Sequence, residues 1–329
     1  MRILIIHQGA LGDFILSLPA IRSFRQTYPD SSIEIWGYPG ILKLVEGRFY
    51  ADTIASINQE GMPQLYSEHG TVPERLIEQF KRFDLIVLFG GEQHNTFVGN
   101  LHLHGVRAIY RISTFPKAGG NTHVIDHQLS QLSRLGLHTA CSVPMLFPSG
   151  EDSRRAAEFF KDNKIVPGAF TVAMHMGSGS RKKAWPPGNF AQLTDKLVNR
   201  RGARVLVLSG PADAEGERDY RHLLSSDNTI ALNNFPLSEL PAILKRCAVF
   251  VGNDSGITHL AAAAGAPAVA LFGPTDPKVW GPRGEHIAIL GSPAECAPCS
   301  REKMQGCISQ KCMEELSVEE VYDAIAKRG

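Results

Sequence analysis

Four stretches of this chain combine small residues with groups able to move a proton or hold an anion. His7-Gln8-Gly9-Ala10-Leu11-Gly12-Asp13 lies between an apolar run and a helix beginning near Phe14. Gly9 and Gly12 let the backbone approach a ligand, and Asp13 places a carboxylate at the helix start. That carboxylate serves either to take a proton from a substrate or to cap the helix, and the spacing leaves both open. Because the glycines lack G-x-G-x-x-G spacing, the stretch is not a dinucleotide fingerprint.

His175-Met176-Gly177-Ser178-Gly179-Ser180-Arg181-Lys182-Lys183-Ala184-Trp185-Pro186 is the second stretch. A Gly/Ser loop can point several N–H groups at phosphate, with lysine supplying charge. A solvated turn is the alternative, and the Walker spacing is missing. The third is Val251-Gly252-Asn253-Asp254-Ser255-Gly256-Ile257-Thr258-His259-Leu260. Here helix N-terminal amides and the Ser255 and Thr258 hydroxyls suit a diphosphate. Asp254 either binds sugar hydroxyls or caps the helix, and His259 is read as a packing histidine. The fourth, Phe272-Gly273-Pro274-Thr275-Asp276-Pro277, is a turn after another apolar run.

These stretches need strands to carry them. Short apolar runs alternate with helix-length amphipathic segments, the pattern of a parallel α/β sheet. Strands are expected at Arg2–His7, Ser32–Gly37, Leu85–Phe89 and Ala108–Arg111, with helices at Ile15–Tyr28 and Glu74–Arg82. The segment Ser142–Asp152, with two prolines and a glycine, marks a break. After it come a helix at Ser153–Asn163 and strands at Phe170–His175, Arg204–Ser209, Val249–Val251 and Ala268–Phe272. The expected division is an N-terminal domain over 1–152 and a C-terminal one over 153–329. Two doubly wound units of this kind bind ligands at strand C-termini, where all four stretches fall, so a cleft between them is the expected site. Where the last helix, Ser317–Lys327, packs is left open, the N-terminal domain included.

Composition narrows the function class. With 329 residues, 34 basic against 33 acidic and a net charge of +1, the chain lacks the basic footprint of a nucleic-acid binder. Ile3–Ile6 is too short for a signal peptide. Ser255–Thr275 has no Asp, Glu, Lys or Arg, but Gly265 and Pro267 split it into a helix and a strand rather than a membrane span. A cytoplasmic protein is expected, with peripheral contact at the inner membrane open to it through its substrate.

The order and wording of the motifs resemble glycosyltransferase family nine, the ADP-heptose:lipopolysaccharide heptosyltransferases. The residues that carry the resemblance are Gly9–Asp13 with Pro19-Ala20, Gly177-Ser178-Gly179 with Lys183-x-Trp185-Pro186, Ser209-Gly210-Pro211 with Asp213 and Glu215, Gly252–Gly256 with His259-Leu260-Ala261, and Phe272–Pro277. It runs along nearly the whole chain and is loosest over about 40–165. It implies a GT-B fold, two facing Rossmann-like domains, and inverting transfer with no cofactor or metal. Asp13 then resembles the general base, with Gly9 and Gly12 on the acceptor side. Lys183 would neutralise the departing phosphate. Gly177, Ser178, Gly179, Ser255, Gly256 and Thr258 would hold the diphosphate, Asp254 would contact donor sugar or acceptor, and Glu215 or Asp213 the ribose. The donor so implied is ADP-heptose and the acceptor a lipopolysaccharide core sugar.

Cys296-x2-Cys299-x7-Cys307-x4-Cys312 has zinc-like spacing, although reduced or packing thiols are the preferred reading. His94, His102 and His104 lack further ligands, the last two being expected on one face of a strand. Arg22, Arg25, Arg107 and Lys117 could meet an anionic acceptor or be ordinary surface charge. Two rival functions share the architecture: a sugar-nucleotide epimerase, active without an acceptor, and a non-catalytic nucleotide-sugar binder.

Overall fold

The computed structural model describes residues 1–68, 70–117, 119–137, 141–210, 213–224 and 228–328. They form two compact units, Met1–Ser142 and Val143–Gly329, so the segment 143–152 goes with the second. Each unit is one parallel sheet with helices between its strands.

The first sheet contains β1 (Arg2–His7), β2 (Ser32–Gly37), β3 (Thr53–Ser56), β4 (Leu85–Phe89) and β5 (Ile109–Ile112), in the order β3-β2-β1-β4-β5. Its central strands are apolar along their whole length because helices cover both faces, as in Leu85-Ile86-Val87-Leu88-Phe89. Parallel neighbours require crossover connections, here helices such as Leu11–Thr27 and Glu74–Phe80. Strand order reverses between β1 and β4. The segment leaving β1, Gln8–Gly12, therefore sits at a switch point, where open α/β sheets leave a crevice.

The second sheet contains β6 (Thr171–His175), β7 (Arg204–Ser209), β8 (Thr229–Asn233), β9 (Val249–Asn253), β10 (Ala268–Phe272) and β11 (Ile287–Gly291). The order is β11-β10-β9-β6-β7-β8, again all parallel. Here the reversal lies between β6 and β9, whose register sets His175 beside Gly252. Two segments far apart in sequence thereby leave the sheet side by side.

The core of this unit gathers Val172, Met174, Trp185, Phe190, Val207, Val251 and Leu271 with Val321 and Ile325 of the helix Val318–Ala326. The last helix is thus part of the second unit's core, capped by Ser317, whose hydroxyl accepts the Glu320 N–H at 3.2 Å.

Candidate active site

The residues around the second unit's switch point form one hydrogen-bonded assembly, with Asn253 at its centre. Its side chain is fully buried, and its Nδ2 donates to the Met176 carbonyl at 2.7 Å while its Oδ1 accepts the Trp185 N–H at 2.9 Å. Asn253 thereby fixes both ends of the loop that runs from β6 to Trp185. Trp185, itself buried, is anchored further by its indole N–H on the Leu316 carbonyl at 2.8 Å.

Lys183 lies in this fixed loop, within a single 3-10 turn, Arg181–Lys183. Its Nζ meets Asp254 Oδ2 at 2.8 Å. The same oxygen accepts the Thr275 hydroxyl at 2.6 Å, which brings the turn after β10 into the assembly. Asp254 is largely buried. A carboxylate in such a place needs charged or hydrogen-bonding partners, and Lys183 and Thr275 supply them.

Ser255 caps the helix Gly256–Ala263 by accepting the Thr258 N–H at 3.4 Å. Thr258 turns its hydroxyl back onto the Asn253 carbonyl. The first amides of this helix carry the positive end of its dipole beside the Lys183 ammonium. His175 joins the group from β6. Its Nε2 donates to Asp213 Oδ2 at 3.3 Å, which leaves Nδ1 to accept from the Ser255 hydroxyl at 3.4 Å. Burial alone would raise the Asp213 pKa, but His175 and the Gly210 amide, 2.7 Å away, bring it below the usual carboxylate value. Asp213 also explains Gly177: a Cβ there would stand 1.9 Å from Asp213 Oδ1.

Gly179 is different, since a Cβ would meet nothing within 4 Å. Ser178 bonds the Ser180 carbonyl, closing the loop on itself. Sequence reasoning put Glu215 or Asp213 at a ribose. Asp213 holds His175, and the Glu215 side chain lies outside the described residues. Glu217, two residues on, reaches Ser209 and Asn233 at the ends of β7 and β8 and pairs with Arg221 at 2.7 Å. Asp213 and Glu217 are both held below their ordinary pKa by these partners, against the raising effect of burial.

In the first unit the helix begins at Leu11 with Ala10 as its cap residue, so Asp13 occupies the third helical position. Its Oδ2 accepts the Ala10 N–H at 3.2 Å, a capping contact made from inside the helix. The N-cap alternative for Asp13 therefore takes this form. Buried His7 supports the turn: its Nδ1 accepts the Gly9 N–H at 3.2 Å and its Nε2 faces the Ser17 hydroxyl at 3.1 Å. That hydroxyl in turn donates to the Asp13 carbonyl at 2.8 Å. Burial lowers the His7 pKa from 6.5 to about 4, so the ring is neutral at neutral pH. A Cβ on Gly9 would fall 2.7 Å from both Asp13 Cβ and the His7 ring. Sequence reasoning passed over His7 and His175, whose only signal was a histidine ending each first strand.

Other expectations change. His102 and His104 stand at the end of the helix Asn95–Leu103, not on a strand; the helix runs on through a stretch whose alternation resembled a strand. Each spends its Nδ1 on a nearby carbonyl, Val106 O and Asn100 O. Arg25 is occupied by the Phe49 and Ser31 carbonyls and by Asp52 at 2.8 Å, holding the helix to the loop before β3.

The model of glycosyltransferase family 9 (heptosyltransferase) matches residues 105–308. The chain belongs to this family. Among relatives, lipopolysaccharide heptosyltransferase 1 of Pseudomonas aeruginosa is 35% identical over 137 residues, 41% of this chain and 38% of that protein. Lipopolysaccharide heptosyltransferase 3 of Escherichia coli is 26% identical over 310 residues, 84% of each chain. Among solved structures, a glycosyl transferase family 9 protein of Veillonella parvula superposes with a TM-score of 0.79 at 21% identity, covering 99% of this chain and 96% of that one. An E. coli heptosyltransferase solved with ADP gives 0.68 at 16% identity over 100% of both chains. As a family 9 glycosyltransferase the chain is an enzyme of group transfer, and its two parallel-sheet domains have the GT-B fold.

Proposed function

We propose that this protein transfers heptose from ADP-heptose to a sugar of the lipopolysaccharide core, with inversion at the anomeric carbon and without a metal ion. The observation that carries the proposal is Lys183 paired with Asp254 at 2.8 Å, beside the Ser255-capped helix, where β6 and β9 diverge. An ammonium and a set of helix amides at one point suit a leaving diphosphate. Family membership supplies the reaction class, and the relatives named for lipopolysaccharide and the neighbour solved with ADP support the acceptor and the nucleotide.

In this reading a core hydroxyl attacks the anomeric carbon as the bond from that carbon to the β-phosphate oxygen breaks. The hydroxyl proton goes to Asp13, because a sugar alcohol is too weak an acid to ionise beforehand. The electrons of the broken bond settle on the diphosphate. Lys183 and the amides of Ser255 and Gly256, in the turn that Thr258 braces, stabilise that charge as it grows. Gly177, Ser178 and Gly179 lie along the diphosphate, Asp254 meets a sugar hydroxyl, and Glu217 or Glu215 holds the ribose. Gly9 and Gly12 keep the backbone before Asp13 clear for the acceptor. The enzyme would act at the cytoplasmic face of the membrane carrying the acceptor; no helix among the described residues is long and apolar enough to cross it.

Calorimetry with ADP, UDP and GDP tests the nucleotide, and ADP is expected to bind at least tenfold tighter than either. Equal or tighter binding of UDP or GDP removes the ADP-heptose assignment. Release of free sugar-nucleotide isomers without any acceptor would replace transfer with epimerisation.

A further inference from the structure

Pro63–Tyr66 is a single 3-10 turn of the first unit whose first two residues are exposed, yet it is held from three sides. Asn100 Nδ2 donates to the Leu65 and Ser67 carbonyls, 2.9 Å from each, so the backbone on either side of Tyr66 is fixed. The Tyr66 ring lies tilted on buried Phe97, with centroids 5.1 Å apart, and edge to face with His94 at 5.6 Å. Its hydroxyl accepts an N–H of the Gln8 side-chain amide at 2.7 Å. Gln8 is the first residue after β1, in the loop that leads through Gly9 to Asp13. Packing alone asks only for the ring, whereas the hydroxyl serves this loop.

His94 ends the turn that follows β4. Its Nδ1 faces the Gly91 carbonyl at 3.3 Å, and since a carbonyl only accepts, the ring proton sits on Nδ1 and Nε2 carries the lone pair. Gly90 makes room for this ring, because a Cβ there would collide with it. Arg111 of β5 steadies the same turn by donating to the Gly90 carbonyl at 3.2 Å. Burial holds the His94 pKa below 6.5 and pushes the Tyr66 pKa up, so near neutral pH the imidazole is uncharged and the phenol keeps its proton. Among the described residues, neither the Tyr66 O–H proton nor the His94 Nε2 lone pair is engaged by a partner. One donor and one acceptor thus stand side by side, at the strand ends that flank the reversal between β1 and β4.

We propose that Tyr66 and His94 together bind one hydroxyl group of the acceptor sugar and thereby select which sugar is offered to Asp13. The inference rests on the proposed transfer reaction and deepens it on the acceptor side. A sugar hydroxyl both donates and accepts, so it takes the proton of the Tyr66 phenol and gives its own to His94 Nε2. An ionised carboxylate has no proton to give His94, and an ammonium has no lone pair for Tyr66. Gln8, which holds Tyr66, precedes Gly9, on which Asp13 packs, so the recognised hydroxyl belongs to the same sugar ring as the attacking one. A sugar lacking that hydroxyl would leave the phenol proton and the imidazole lone pair without a partner, which is how a polar site rejects an analogue.

The test uses the full chain with ADP-heptose as donor and the heptose-free oligosaccharide of a lipopolysaccharide core as acceptor. Tyr66→Phe removes the phenol proton and keeps the ring on Phe97. It should raise the acceptor KM about threefold to tenfold, the range for one neutral hydrogen bond, and leave the donor KM and ADP affinity unchanged. Tyr110→Phe, which removes an exposed phenol from the edge strand β5, should alter none of these. Single-deoxy analogues of the acceptor sugar supply a readout that a packing role would not move. One of them should be used by wild type as poorly as the full acceptor is by Tyr66→Phe, and should be indifferent to that substitution. A change in acceptor KM of less than about threefold, or analogues that all remain sensitive to Tyr66→Phe, overturns the proposal. A wild type that binds ADP but moves no heptose removes the proposed function instead. Calorimetry with the same oligosaccharide then decides on the subsite: it stands if Tyr66→Phe weakens binding by about threefold or more, and falls if binding is absent or less affected.

Discussion

Lys183 and Asp13 were both legible as residue types in a spacing, but their surroundings were not. Lys183 reads as one of three consecutive basic residues, and only the pairing of β6 with β9 singles it out by bringing Asp254 to it. Its truncation is therefore expected to act on the leaving group. Lys183→Ala should reduce kcat by about a hundredfold to a thousandfold, as the loss of one preorganised charge-stabilising group does. Steady-state kinetics checks this, and a variant within threefold of wild type would take Lys183 out of the reaction. For Asp13→Asn the expectation is unchanged ADP affinity with turnover reduced by about a hundredfold to ten-thousandfold, the range of general-base assistance. Titration calorimetry alongside turnover separates the two effects, and full turnover in that variant would end its role as base. Asp213 was legible only as an acidic residue near a motif. Its pairing with His175 depends on β7 lying beside β6, which no local spacing reveals.

Elements at the centre of each sheet were legible almost to the residue, because continuous apolar runs have few other uses. Arg2–His7, Ser32–Gly37, Leu85–Phe89, Arg204–Ser209 and Ala268–Phe272 coincide with the expected strands. The three strands that sequence reading missed, β3, β8 and β11, all lie at sheet edges. Half-exposed edge strands such as Thr229–Asn233 mix polar and apolar residues, so the apolar signal is diluted. Strand order is likewise invisible in sequence, since either unit could in principle be wound with its reversal elsewhere. The site depends on that order, and Asn253 is the residue that secures it. Asn253→Ala would strand the Trp185 N–H and the Met176 carbonyl in a dry interior. At roughly 1–3 kcal/mol for each group left unpaired, the second unit should lose about 3 kcal/mol. Chemical denaturation followed by tryptophan fluorescence measures the loss; a change below about 0.5 kcal/mol, the scale of an ordinary surface substitution, would make the bracing dispensable.

At the scale of the molecule, the division into two units predicts that ligands and pH act on them separately. Buried His7 belongs to the first unit, and its pKa falls from 6.5 in the unfolded chain to about 4 in the fold. Between those values the unfolded chain binds a proton that the folded one refuses, so stability is full above pH 6.5 and declines as pH drops toward 4. The shift corresponds to a loss on the order of 3 kcal/mol for this fully buried ring. His7→Gln, which keeps a polar side chain but cannot titrate, should flatten that decline. The residues proposed to bind the donor, by contrast, all lie in the second unit. ADP at a hundred times its dissociation constant should stabilise its host by about 2.7 kcal/mol. Hydrogen exchange should then slow at the ends of β6 and β9 and at the start of the helix Gly256–Ala263, while β1 and β4 exchange as before. Protection of the first sheet equal to that of the second would mean that the nucleotide is not held by the second unit alone, and the division of labour between donor and acceptor domains would fall with it.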